Sequence, residues 1–243
     1  MLFRSMLTND ELTILFARDG VLLMGSRKTQ NEAFANIVKA RGLESQDSTD
    51  DNPSLTRDGK RLYFSCHTHR AGGSGDLYSA PMTESGFGPP ALLNHLATSQ
   101  DETDPCPTSN GDGLLYSARR PNRNGADIYF VTGLLGDASA TEALLLDVSS
   151  ANAGEGQPVL TVDDLTLFFA SDRATSGFQD IFVASRTKVT EPFGPSNSLG
   201  PVVNSAATDS PAWVSADGCV LYFTSDRPGG AGKRDLYRTT RGR

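Results

Sequence analysis

The sequence is short of the residues on which most identifiable protein classes depend. It has three cysteines, three histidines, one tryptophan and four methionines in 243 residues. Three cysteines cannot all pair within one chain, and Cys66, Cys106 and Cys219 fall at unrelated places in the pattern described below. Small strand thiols are therefore expected, not a disulfide framework or a cysteine metal site. Positive charge is also scarce: 22 Lys and Arg stand against 29 Asp and Glu, a net charge of −7. Such a chain lacks the basic face that phosphate contacts need, which argues against sequence-independent nucleic-acid binding and against docking on anionic membranes. No apolar run approaches the ~20 residues that cross a bilayer as a helix. The opening MLFRSMLTND has neither an apolar signal core nor a small-residue cleavage site, so no signal peptide is read there. Catalytic signatures are missing too: no G-x-S-x-G elbow, no H-E-x-x-H and no phosphate-cradling loop.

What is present is a repeated sentence. LYFTSDRPGGAGKRDLY begins at Leu221, and versions of it begin at Leu62, Leu114 and Leu167. A turn residue followed by an aromatic anchors each copy: Asp10/Phe16, Asp58/Phe64, Asn110/Tyr116, Asp163/Phe169 and Asp217/Phe223. The anchors recur about every 50 residues, a spacing that marks a repeat architecture. Before four of them comes a proline: Pro53, Pro105, Pro158 and Pro211. The anchor itself lies in a turn such as RDGK, SNGD or ADGC, whose Asp, Asn and Gly tolerate positive φ. An apolar triplet follows, such as Leu62-Tyr63-Phe64 or Leu167-Phe168-Phe169, and a continuous apolar run in a short strand means burial on both faces. Then come a polar loop, a third strand opening at Asp76, Asp127, Asp180 or Asp235, and a Gly/Pro-containing stretch that can hold an outer strand.

Four short strands per unit, buried on both faces, define an all-β fold: a β-propeller of five four-stranded blades. An open sandwich has no reason to repeat so regularly. The blades run approximately over 1–48, 49–100, 101–153, 154–207 and 208–243, a single domain. A six-bladed or incompletely closed ring is the alternative, because no outer strand precedes the first unit and none follows DLYRTTRGR. The first unit is atypical. Its loop shrinks to ARDG, yet Arg27 to Phe34 repeats the spacing of Arg186 to Phe193.

The strings SPAWVSADGCVLYFTSDRPGGAGKRDLY, NPSLTRDGKRLYF and QPVLTVDDLTLFFASDR closely resemble the TolB-type, WD-repeat-like propeller repeat of bacterial envelope proteins. The resemblance covers all five units. It implies a binding or scaffolding propeller, often exported, in a periplasmic, cell-envelope or extracellular setting. It implies no catalytic residues, because the shared residues build blades, and fold does not imply function. Some relatives carry peptidoglycan-binding or serine-peptidase domains, of which this sequence has no sign.

Two sets of residues remain as candidates. Asp50, Glu102, Glu155 and Asp209 occupy one repeat position at the start of the innermost strand, where they would ring one mouth of the central channel. They could attract a cation, but recurrence favours a structural duty: capping N–H groups or pairing with a basic residue of an adjacent blade. Arg120, Arg173 and Arg227 recur after the second strand, suited to carboxylate pairing, with Thr68 in their place in the second unit. The second set breaks the repeat. His67, His69 and Arg70 replace the SDR string, and Arg119 replaces the Asp found as Asp172 and Asp226. Together they would make a small basic patch for an anionic group of a glycan or peptide. The two histidines show no third ligand, so no metal and no cofactor is expected. Trp213 is read as core, with a channel-lining aromatic platform as its functional alternative. The expected function is non-catalytic recognition of a protein, peptide or glycan by a monomer. The alternatives are a propeller glycoside hydrolase or lyase and a structural module of a larger assembly.

Overall fold

A computed structural model of the chain describes residues 2–43, 48–68, 75–134, 144–174 and 178–241. These residues form five antiparallel sheets and no helix. Blade 1 holds β1 (Leu2–Leu7), β2 (Thr13–Arg18), β3 (Val21–Ser26) and β4 (Ala35–Lys39). Blade 2 holds β5 (Ser48–Leu55), β6 (Arg61–Thr68), β7 (Gly75–Thr83), β8 (Gly86–Phe87) and β9 (Ala91–Leu92). Blade 3 holds β10 (Glu102–Pro107), β11 (Leu114–Arg119), β12 (Ala126–Val131) and β13 (Leu144–Leu145). Blade 4 holds β14 (Glu155–Leu160), β15 (Thr166–Ser171), β16 (Asp180–Ser185) and β17 (Asn197–Ser198). Blade 5 holds β18 (Asp209–Val214), β19 (Val220–Ser225) and β20 (Asp235–Thr240). The fold is a five-bladed β-propeller. Blade 2 gains a strand because β7 runs on to pair Met82 with Phe87 in β8, while β9 pairs further back at Tyr78. Blade 5 has three strands among the described residues.

The apolar triplets explain the radial stacking. Side chains alternate across a strand, so the outer members of a triplet face one neighbour and the middle member the other. Leu62 and Phe64 pack with blade 1, while Tyr63 packs with blade 3. Leu167 and Phe169 join blade 3, while Phe168 joins blade 5. The pattern continues through the ring: Leu221 and Phe223 face blade 4, and Tyr222 joins Leu7, Ile14 and Phe16 of blade 1. Among the described residues the ring therefore closes by side-chain packing between blades 5 and 1, with no strand shared. Cys66 and Cys106 are buried at two junctions.

Each junction between an inner and a second strand is a hairpin built to one plan. Thr8, Thr56, Thr108, Thr161 and Ser215 donate their hydroxyls to Asp10, Asp58, Asn110, Asp163 and Asp217 at 2.6–2.7 Å. The same carboxyl or amide oxygens accept backbone N–H groups two residues on, at 2.9–3.0 Å. The next residue is left-handed: Gly59, Gly111 and Gly218 in three blades, but Glu11 (φ 61°) and Asp164 (φ 57°) in the others. A non-glycine there costs about 1 kcal/mol. Both acids are buried and reach back to the preceding blade, which offsets that cost. Asp164 accepts from the Ser109 N–H at 3.0 Å and its hydroxyl at 2.7 Å. Glu11 accepts from the Tyr222 hydroxyl at 3.2 Å across the blade 5–blade 1 seam. Arg27 donates to the same hydroxyl at 3.2 Å and stacks 4.3 Å over Phe34, as Arg186 stacks 4.3 Å over Phe193. The shortened first loop is a two-residue turn with positive φ at Asp19 and Gly20.

Candidate functional site

At the face where inner strands begin, the repeated acids are buried. Glu102, Glu155 and Asp209 have side chains with no exposure, and each pairs with the arginine of its own blade, not a neighbour's. The pairs are Arg120–Glu102 at 2.5 Å, Arg173–Glu155 at 2.8 Å and Arg227–Asp209 at 2.7 Å. Antiparallel pairing explains this: Glu155 lies opposite Ser171, two residues before Arg173. The acids also accept N–H groups of the incoming connection, from Thr98, Ser150 and Ser205 at 2.6–3.0 Å. The guanidiniums stack on blade aromatics, as Arg227 does 4.8 Å from Tyr237. Asp50 is buried in a blade whose corresponding residue is Thr68.

Of the four residues that break the repeat on this rim, the structure describes two, His67 and Arg119. His69 and Arg70 lie outside the described residues. His67 is half-buried at the end of β6, with its ring over Gly75, where a Cβ would come within 2.4 Å of it. Arg119 is exposed at the end of β11. Among the described residues no hydrogen bond or ion pair joins His67 to Arg119. In blades 4 and 5, Asp172 and Asp226 at this position cap the N–H groups of Gly154 and Thr208, each at 2.7 Å. In blade 3 the acid has moved across the strand pair. Asp101 receives the Arg119 N–H on its carbonyl at 3.1 Å and the Gly75 N–H on its carboxylate at 3.0 Å.

Deeper on the inner strands, every blade carries a one-residue bulge. Asn52, Asp104 and Gln157 occupy it with φ of 53–54°. The bulge turns two acids unique to their blades toward one another's field. Burial raises the Asp51 carboxyl above the ordinary value, His67 opposes that, and Asp104 adds to it. One Asp51 oxygen has no hydrogen-bond partner among the described residues.

The opposite face holds a central funnel of about 370 Å³, walled by the ends of all five inner strands and their hairpins. Its shape follows from the hairpin plan. The Thr/Ser and Asp/Asn of each turn are consumed by the turn, and the residue between them is left to face the mouth. That position reads Asn9, Arg57, Ser109, Val162 and Ala216. Asn9 and Ser109 are spent on stitching blades, Asn9 to the Arg57 carbonyl at 3.1 Å and Ser109 to Asp164. Arg57 is exposed and is the one cation among the lining residues; half-buried Trp213 is the one aromatic. Trp213 is held edge-on to Tyr222 at a centroid distance of 5.9 Å. Asp10 and Asp58 at the mouth have carboxyls held below the ordinary value, chiefly by the Thr8 and Thr56 hydroxyls and then by backbone N–H groups, so they stay ionised. Arg57 could have been found in the sequence as a single charge at a repeat position that varies freely; nothing local marks it.

A five-bladed propeller with one asymmetric funnel is thus the class that fold and site define. No protein-family model and no curated protein sequence matches the chain. Among solved structures it is similar to TolB β-propeller proteins. A TolB candidate from Agrobacterium tumefaciens superposes with a TM-score of 0.65 at 15% identity, over 99% of this chain and 77% of that one. TolB from Acinetobacter baumannii gives 0.59 at 14% identity, over 99% of this chain and 52% of that one. A thermostable family-43 glycoside hydrolase gives 0.66 at 10% identity, over 98% and 89%. The chain thus spans about half of the Acinetobacter protein. These likenesses establish the fold. No helix among the described residues is long and apolar enough to cross a membrane.

Proposed function

We propose that this is a non-catalytic recognition propeller, and that its ligand, a segment of protein or a glycan bearing an anionic group, enters the funnel between the hairpins. Trp213 supplies an apolar platform and Arg57 pairs with the anion. One observation carries the reading: the funnel's single cation, the exposed Arg57, and its single aromatic, the half-buried Trp213, line the same mouth. The likeness to TolB proteins supports a role in protein recognition at the bacterial envelope and thus a periplasmic setting. Asp10 and Asp58 at the mouth are turn acceptors held ionised, which suits them poorly to donating a proton.

Because Trp213 is the only tryptophan, its fluorescence reports on the funnel directly. Titration with acidic peptides and with uronic-acid oligosaccharides should give a saturable change for one class. Arg57→Ala should weaken that binding at least tenfold, and Trp213→Phe should weaken it less. Binding that leaves Trp213 emission and Arg57→Ala affinity untouched refutes the reading.

A propeller hydrolase or lyase is the second reading. What favours it is the Asp51 carboxyl, raised by burial and lying within the field of Asp104, since catalysis by paired acids needs their affinities for protons driven apart. Turnover of a polysaccharide that Asp51→Asn abolishes would establish it; Asp51→Asn with unchanged turnover would exclude these acids.

A further inference from the structure

In four blades the third strand hands one particular carbonyl outward. Leu22, Leu77, Ile128 and Ile181 accept an N–H from Ala40, Leu93, Leu146 and Leu199 at 2.9–3.0 Å. In three of these four the donor is a leucine that packs on the cluster at the next junction. In blades 3 and 4 the same residue's N–H is also satisfied, by Ser149 at 3.0 Å and Asn204 at 2.8 Å. The corresponding residue of blade 5 is Leu236, at the second position of β20, and among the described residues nothing plays these parts for it. The junction that an outer leucine of blade 5 would cover is the seam with blade 1. Its cluster has five buried residues against seven to eleven elsewhere, with Leu236, Val220 and Phe34 only partly covered.

The edge also has a charge of its own. Lys233, Arg234, Arg238 and Arg241 lie on or beside β20, with Asp235 the one acid among them. Lys233, Arg238 and Arg241 are exposed. A second copy of this chain pairing edge to edge would set these cations against each other, and like charges across a strand pair are unfavourable. We propose that β20 is a docking edge for an extended acidic segment of another polypeptide. That segment adds as the fourth strand of blade 5 and sets a leucine over the seam. Main-chain hydrogen bonds to Leu236 supply affinity, the leucine and the flanking acids supply selectivity, and the site is separate from the funnel.

The blade 3 outer element provides a probe, because residues 142–150 read Glu-Ala-Leu-Leu-Leu-Asp-Val-Ser-Ser. This synthetic peptide is titrated against the whole chain, with hydrogen exchange followed at Leu236 and Arg238. Saturable binding with slowed exchange at Leu236 is expected. Arg234→Glu/Arg238→Glu should weaken it at least tenfold, and so should a peptide with both acids changed to lysine, which leaves the protein untouched if the double variant fails to fold. Two results overturn the proposal. One is no binding, with Leu236 exchanging freely. The other is a Leu236 amide as protected as Ile181 before any peptide is added; the edge is then already covered, by this chain or by a second copy, and sedimentation tells which.

Discussion

Arg173→Met tests how the propeller neutralises its buried acids. Glu155 has no side-chain exposure and accepts three hydrogen bonds of 2.8 Å, from Arg173 Nη2, the Ser171 hydroxyl and the Ser150 N–H. Arg173 also donates to the Val148 carbonyl at 2.6 Å and to Ser196 at 2.7 Å, and it stacks 5.1 Å from Phe182. Methionine can preserve much of the stacking but none of the charge. Breaking a buried pair on one side costs about 3–5 kcal/mol, because a charge is left uncompensated. Two remaining donors and the arginine's 23% exposure put this case at the lower end, about 3 kcal/mol. With a urea slope of about 3 kcal/mol/M, the unfolding midpoint should fall by about 1 M. Adding Glu155→Gln should recover part of the loss, giving a coupling of about 1–2 kcal/mol in the double-mutant cycle. Arg120→Met and Arg227→Met should behave alike, since their pairs share the geometry. A midpoint shift under about 0.3 M, with no recovery in the double variant, would refute the view that these acids are structural.

Asp180→Asn should stabilise the protein at neutral pH. Burial, then the neighbouring Asp209, raises the Asp180 carboxyl above its ordinary value of 3.8. The folded state therefore holds that proton more tightly, and stability falls as pH rises from 3.8 through the raised value. The variant's advantage should shrink on acidification and vanish below the ordinary value; a gain that persists there would sink the argument. Tyr222→Phe removes the hydroxyl shared by Glu11 and Arg27 at the seam and should cost about 1.5–3 kcal/mol in urea unfolding, as for hydrogen bonds to charged groups. An unchanged midpoint would mean the seam is held by packing alone. Phe169→Ala, at a fully buried side chain, should cost about 3–5 kcal/mol, and a loss under about 1 kcal/mol would remove it from the core.

The blades were legible because their physics is local and said five times. A triplet such as Leu114-Leu115-Tyr116 can only serve a strand covered on both sides, and both covers are present. The partner of each repeated acid was less legible. Glu102 and Arg120 stand far apart in sequence, and only the register that sets Glu102 opposite Ala118 brings the arginine into the same blade. The funnel was illegible for a different reason. Each inner strand carries a bulge that shifts its register by one residue, so alternation along the strand does not tell which side chains meet the channel. Pro211 sits where Asn52, Asp104 and Gln157 sit in other blades, one place ahead of Pro53, Pro105 and Pro158, so the prolines mark the bulge only approximately.

That shift of Pro211 shows how to separate departures that carry function from those that do not. Ser65 of blade 2 accepts the Asp104 N–H of blade 3 at 3.3 Å, and Ser117 of blade 3 accepts the Gln157 N–H of blade 4 at 3.2 Å. Blade 4 has Ala170 in the serine's place, and blade 5 has Pro211 in the donor's place. An absent acceptor faces an absent N–H, so neither departure leaves a buried group unsatisfied. Other departures are matched in the same way. Asp101, opposite Arg119, turns its carboxylate to the Gly75 N–H of the preceding blade, Gly75 makes room for the His67 ring, and Glu11 and Asp164 exchange a glycine's freedom for a grip on the preceding blade. A matched departure is the repeat maintained by complement instead of identity, and selection on stability alone suffices to keep it. Arg57 has no such counterpart, whereas Trp213 packs on the blade 5–blade 1 cluster and still lines the funnel. Nothing in blades 1, 3 or 4 compensates for a lone guanidinium at the funnel mouth, while Met6, Ser54, Cys106 and Val159 hold the tryptophan's place elsewhere, three of them packed in junction clusters. The exposed Arg57 and the half-buried Trp213 at the centre of the ring are therefore where the proposed recognition is to be tested first.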